Sequence, residues 1–199
     1  MHISDGVLSA PALVTGWAIT AAGLGLGLKK MDGEKIVRVS LMGSAFFLAS
    51  LVRVAVGPST THLSLLAPIG LVVGWGCFPA MFVALCLQAI LFQFGGLTTI
   101  GPNCVDVAVP ALLAYLLFNG PIKAATSPTK VALLGFVAGA FAVFLCALGV
   151  GSFLLMTDRA YWGSAVATFV THLPLMVVEG VVTAALALFL KKAAPDLIA

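Results

Sequence analysis

Long apolar stretches, separated by short clusters of glycine, proline and charge, run from one end of this chain to the other. A helix that crosses a membrane needs about 20 mostly apolar residues, and five stretches read directly as helices: residues 8–28, 36–56, 105–118, 131–156 and 162–190. Residues 63–94 are too long for one crossing, since at 1.5 Å per residue they would reach about 48 Å against a hydrocarbon core of about 30 Å. Gly74, Gly76 and Pro79 sit at the middle of that stretch, where a turn between two short spans needs them. The expected architecture is therefore an all-α membrane protein with about seven transmembrane helices. No internal repeat or second domain is visible, so residues 1–199 read as a single integral membrane domain, a segment 1–9 followed by helices to about residue 190. The loop 95–103, Gly-Gly-Leu-Thr-Thr-Ile-Gly-Pro-Asn, is irregular yet still fairly apolar. Such backbone is tolerated near membrane depth only where protein satisfies it, which predicts a loop folded inward, the alternative being an ordinary external turn.

Composition agrees: 61% of the 199 residues are hydrophobic and only 9% charged, too few to solvate a globule of this size. The charges that exist set an orientation. Seven crossings with the N-terminus outside put Lys29, Lys30, Lys35, Arg38, Lys123, Lys130, Lys191 and Lys192 on the cytoplasmic side, whereas six would scatter them to both faces. The C-terminus is then cytoplasmic, and the expected location is the cell inner (cytoplasmic) membrane, multi-pass. The net charge of +3 follows from this placement, and no basic stripe with interleaved aromatics points to nucleic acid. Residues 1–11 carry no positive charge and include Asp5, unlike a cleavable signal peptide, so Met1 is expected to stay. Cys77, Cys86, Cys104 and Cys146 lie in apolar surroundings without C-x-x-C spacing and read as small buried hydrophobes. The absence of a G-x-x-x-x-G-K-[ST] motif excludes ATP hydrolysis by that route.

Candidate chemistry begins at His2. A terminal amine, the His2 amide nitrogen once deprotonated and the His2 imidazole form fused five- and six-membered chelate rings, leaving one position of a square plane open; the bland alternative is a histidine in a frayed terminus. His62 is expected at the outer end of the third helix, on the same side, and fills that position, unless it is only hydrogen-bonded at a helix start. A tetragonal all-nitrogen site suits Ni(II) or Cu(II). His172 and Glu179 share a face of the last helix, about 15 and 25 Å down from its outer end. Depth argues against direct ligation by either, leaving structural roles, with support of a ligand as the functional reading for His172. Asn103 and Asp106 are expected to begin the fifth helix, as caps or as groups orienting a ligand, and Ser59 is a further supporting candidate. Ala18, Ala22, Gly23 and Gly27 on the first helix form a small-residue face for internal packing or for a membrane partner. An intramembrane metalloenzyme built on His62, His172 and Glu179 is the competing class, and it needs those ligands at one depth.

The segments Met1-His2-Ile3-Ser4-Asp5-Gly6-Val7-Leu8-Ser9, Gly57-Pro58-Ser59-Thr60-Thr61-His62-Leu63, residues 87–99 and His172-Leu173-Pro174 leading to Glu179-Gly180 resemble the CbiM family of cobalt-transport proteins, whose close relatives are the nickel proteins NikM. The resemblance covers essentially the whole chain. It implies a substrate-specific S component of an energy-coupling factor transporter, not an enzyme, that captures Co(II), or alternatively Ni(II), through the Met1 amine, the His2 amide and imidazole, and the His62 imidazole. It also implies a small membrane subunit resembling CbiN, a coupling subunit resembling CbiQ and ATPase subunits resembling CbiO, with the import supporting cobalamin biosynthesis. No resident cofactor is implied, because the ion is cargo. The family often carries histidine where this chain has Arg53, a cation expected either to pair with Asp106 or to weaken attraction for the metal.

Overall fold

The computed structural model describes residues 2–56 and 59–198, and of residues 53–61 the side chains are not described. The described residues form seven α-helices, α1 (Ala10–Lys29), α2 (Gly33–Leu51), α3 (Leu66–Val73), α4 (Cys77–Phe92), α5 (Ile100–Ala124), α6 (Pro128–Thr157) and α7 (Trp162–Ala193). An antiparallel pair, β1 (Arg53–Val56) and β2 (Ser59–His62), joins α2 to α3, with Arg53 opposite His62. Five helical segments are long and apolar enough to cross a membrane, which makes this a multi-pass membrane protein.

Two expected boundaries move near His62 and Asn103, and the fifth helix also runs on to Ala124 rather than ending at residue 118. The second helix was expected to run to residue 56, but it stops at Leu51, and Arg53–Val56, with β-branched valine at 54 and 56, pairs as a strand. The fifth was expected to begin at residue 105, but it begins at Ile100, because Pro102 suits a first helical turn. Local chemistry explains the other ends. Asp32 caps α2 by accepting from the Lys35 backbone N–H at 3.0 Å. The Lys191 ammonium donates to the carbonyls of Ile122 and Lys123, both at 2.7 Å, and to that of Ala125, satisfying oxygens that the end of α5 leaves without helical partners.

Residues 63–94 do reverse. Gly70 faces Ala111 and Gly74 faces Tyr115, so α3 runs in the direction of α5. By contrast Ala80 faces Gly43 and the Gln88 amide donates to the Ser50 hydroxyl at 2.7 Å, so α4 runs in the direction of α2. The turn between them uses Gly74 at φ +52°, a left-handed conformation that favours glycine. At 1.5 Å per residue α3 is only about 12 Å long, too short to cross by itself. The pair β1–β2 and residues 63–65 lead into it from α2.

The main core gathers Phe46, Leu66, Ile69, Phe78, Met81 and Val107 with small residues such as Ala108, Ala111, Ala138 and Ala142. Small residues let the backbones of α3, α5 and α6 approach closely, the usual way helices associate in lipid. Cys77, Cys104 and Cys146 are buried and Cys86 is partly so, and none of the four is in a disulfide among the described residues.

Candidate metal centre

The N-terminal segment is held by side chains that imitate a strand partner. The Ile3 N–H donates to Asn103 Oδ1 at 2.8 Å, and Asn103 Nδ2 donates back to the Ile3 carbonyl at 3.0 Å. The Thr99 hydroxyl donates to that same carbonyl at 2.8 Å. Two residues on, the Asp5 carboxylate accepts from the backbone N–H groups of Leu97 and Thr98, both at 3.1 Å, and from the Thr98 hydroxyl at 2.5 Å. These bonds, the Thr98 hydroxyl first, hold the Asp5 carboxyl below the usual carboxylate range. The loop therefore packs over residues 2–5, with Leu97 and Thr98 themselves exposed. Gly95 permits it: its φ is +76°, and a Cβ there would lie 2.9 Å from Asn103 Nδ2 and 3.3 Å from His2 Cβ. The loop is tied to α1 in turn, since Trp17 Nε1 donates to the Thr98 carbonyl at 2.8 Å.

His62 approaches from the other side. It closes β2 rather than beginning a helix, and it is buried. Its ring centroid lies 5.5 Å from that of His2, the planes tilted by 39°. Just beyond it, the Glu179 carboxylate of α7 accepts from the backbone N–H of Ser64, from the Ser64 hydroxyl at 2.8 Å and from the Leu65 N–H at 2.9 Å. Leu65 has a left-handed φ of 52° and α3 has no side-chain cap of its own, so a distant carboxylate does the capping. Glu179 stands about 25 Å along α7 from its start, and His62 is only two residues from Ser64, at most about 7 Å. His62 thus sits within the bundle, not at its outer rim, and the expected vertical gap between it and the His172–Glu179 pair is largely closed.

The remaining sequence candidates divide. Met1 lies outside the described residues, as do the side chains of Ser59 and Arg53, and with them the expected Arg53–Asp106 pair. Asn103 is no helix cap; it holds the residue after His2. Asp106, one turn further along α5, is 1% exposed, and neither of its carboxylate oxygens has a hydrogen-bond partner among the described residues. His172 Nδ1 lies 2.6 Å from the Thr168 carbonyl and must carry the proton, which leaves a lone pair on buried Nε2. The small-residue face splits: Gly23 is packed against Phe78 and Gly27 against the Trp75 carbonyl and Pro79, while Ala18 and Ala22 are exposed. Sequence reasoning missed Asp5 and Thr99 and gave Glu179 no specific partner; only the Thr-Thr pair of the loop hinted at hydroxyl donors.

Among the described residues no three His, Cys, Asp or Glu side chains converge as a metal site.

Comparison with known proteins decides the family. The model of the CbiM family, described as the cobalt uptake substrate-specific transmembrane region, matches residues 2–197. The chain belongs to the CbiM family. A Haemophilus influenzae protein assigned to metal transport is 34% identical over 98% of this chain and 96% of its own length. The cobalt transport protein CbiM of Geobacter sulfurreducens is 30% identical over 100% of this chain and 62% of its own length. The fused nickel transport protein NikMN of Rhodobacter capsulatus is 29% identical over 100% of this chain. This chain spans 64% of that protein, so both longer relatives continue past the region matched here. Two crystal structures described as transition metal transporters, one truncated, share the fold, with TM-scores of 0.76 and 0.74 at 21% and 23% identity. They cover 96% of this chain and 99% and 93% of their own. As a CbiM-family protein the chain is a metal-transport component of the membrane rather than an enzyme, and its clamped N-terminal segment is the feature that calls for a function.

Proposed function

We propose that this chain is the substrate-binding S component of an energy-coupling factor transporter and that it captures Co(II) for import, with Ni(II) as the alternative cargo. The ion enters from the outer side and is held by the Met1 amine, the His2 amide nitrogen, the His2 imidazole and the His62 imidazole. The observation that carries this reading is the 5.5 Å between the His2 and His62 rings. Two imidazoles that each bind one ion through a nitrogen at about 2 Å put their centroids about 4.5 Å apart in adjacent positions and about 6 Å apart in opposite ones, so the two rings stand within about 1 Å of sharing one ion. Ligation releases protons, from the amine in its ammonium form and from the amide, so affinity falls as pH drops. Four nitrogens in a plane favour Ni(II) by geometry, and selectivity for Co(II) then depends on supply and on the fixed frame around the site.

The topology proposed is seven crossings, N-terminus outside and C-terminus cytoplasmic. Support comes from the end of the bundle opposite His2, where Lys191 meets the α5 terminus, Arg38 meets the Asp196 carbonyl at 3.4 Å, and Lys30 lies 4.6 Å over the Trp75 ring. The membrane is the cell inner membrane, and the import supports cobalamin biosynthesis. The partners are a CbiN-like small subunit, a CbiQ-like coupling subunit and CbiO-like ATPases, with exposed Ala18 and Ala22 offering a close-approach face. The fused architecture named for the Rhodobacter capsulatus relative supports a second membrane subunit.

Titration of purified protein with Co(II) and Ni(II) tests this. His62→Ala is expected to weaken both by more than about 100-fold, beyond the range typical of a supporting residue. Unchanged affinity in a folded H62A protein would overturn the ligand set.

A further inference from the structure

A buried carboxylate with no hydrogen-bond partner is costly and calls for a physical explanation. Asp106 is such a group, fully inside the bundle, with both oxygens lacking a partner among the described residues. Space has been made for it: a Cβ on Gly149 of α6 would stand 2.5 Å from Asp106 Oδ1.

Its position relative to the His2 ring follows from α5. Asn103 holds the Ile3 backbone, and Asp106 follows it by three residues, so the two share a face with Cβ atoms about 5–6 Å apart. Asn103, which holds the residue after His2, and the orphan carboxylate are therefore about one helical turn apart. The proposed ligand set brings one negative charge, the deprotonated amide, to a divalent ion, so the loaded centre carries a net charge of about +1 into a low-dielectric bundle.

We infer that Asp106 is the counter-charge of the loaded metal centre, the group that neutralises the chelate of a divalent cation. This rests on the N-terminal site proposed above. It differs from an orienting role, because a counter-charge sets affinity without altering the geometry of the ligands.

The test uses detergent-purified full-length chain, titrated with Co(II) and with Ni(II), in four forms: wild type, D106N, D106E and a form with one residue added before Met1. D106N is expected to stay folded, to bind both ions at least about 10-fold more weakly, and to show at saturation the same Ni(II) d–d absorption band as wild type. D106E is expected to recover most of the loss. Unchanged affinity in D106N, a shifted d–d band, a D106E protein as weak as D106N, or a D106N protein that does not fold would each overturn the inference, the last by assigning Asp106 to the framework. If the extension abolishes binding while D106N binds normally, only the counter-charge falls. If the extension has no effect, the N-terminal site falls and takes the counter-charge with it.

Discussion

Asp5 shows how one carboxylate positions a neighbour it never touches. Its three accepted hydrogen bonds fasten the loop that covers His2, and they hold its carboxyl below the usual range, the Thr98 hydroxyl contributing most. A group with a lowered folded value stabilises fully above its unfolded value of about 3.9 and loses that contribution as pH falls through the folded value. The loop clamp should therefore persist through pH 5–7, about where protonation of nitrogen ligands already weakens metal binding, and fail only below about pH 4. Hydrogen exchange at the Leu97 and Thr98 amides checks this; protection that vanished at pH 5.5 would contradict it. Gly95 makes a second test. Alanine there must adopt φ near +76° beside Asn103 and His2, at a cost of about 1–2 kcal/mol. Gly95→Ala should lower thermal stability and weaken Co(II) binding together. Neither residue's part was legible in the sequence, because each depends on a contact across more than ninety positions, whereas His2 and His62 announced themselves by their chemistry.

At the scale of elements, the long helices were legible because their apolar runs exceed what a globular core uses. The hairpin was not. Residues 53–56 are as apolar as a helix end, so hydropathy extended the second helix through them and left His62 at a rim it does not occupy. What sets its depth is Glu179, whose carboxylate takes the donors of Ser64 and Leu65 and so ties the hairpin and α3 to the middle of α7. Glu179→Ala would leave buried donors without partners and should cost about 2–4 kcal/mol in stability. Glu179→Gln keeps an acceptor oxygen and should cost less, a ranking that thermal unfolding in detergent can read. If the two variants proved equally stable, the tie would not be what fixes the descent into α3. The Lys191 cap on α5 sits at the opposite end, and Lys191→Met should loosen the α5–α6 connection while leaving metal affinity unchanged in the same titration.

For the whole molecule, the account is of a bundle closed at one end by its own first residues. Segment 2–9 is gripped by α5, by the loop 95–103 and, through the Ser9 N–H bonded to the Thr157 hydroxyl at 3.1 Å, by the end of α6. The family and the multi-pass fold were legible from patterning and motif alone; the depth of the centre was not, since it is set by tertiary hydrogen bonds that leave no periodic trace. The central claim is that the N-terminus is itself the cargo site. One added residue before Met1 removes the primary amine from position and moves the His2 imidazole out of its chelate ring, while leaving every described clamp on Ile3 and Asp5 in place. The measurement is the affinity for Co(II) and Ni(II) of the natural and the extended chain, with thermal stability recorded alongside. Loss of binding with an unchanged melting temperature is the predicted result, and equal affinity in the two proteins would contradict the account.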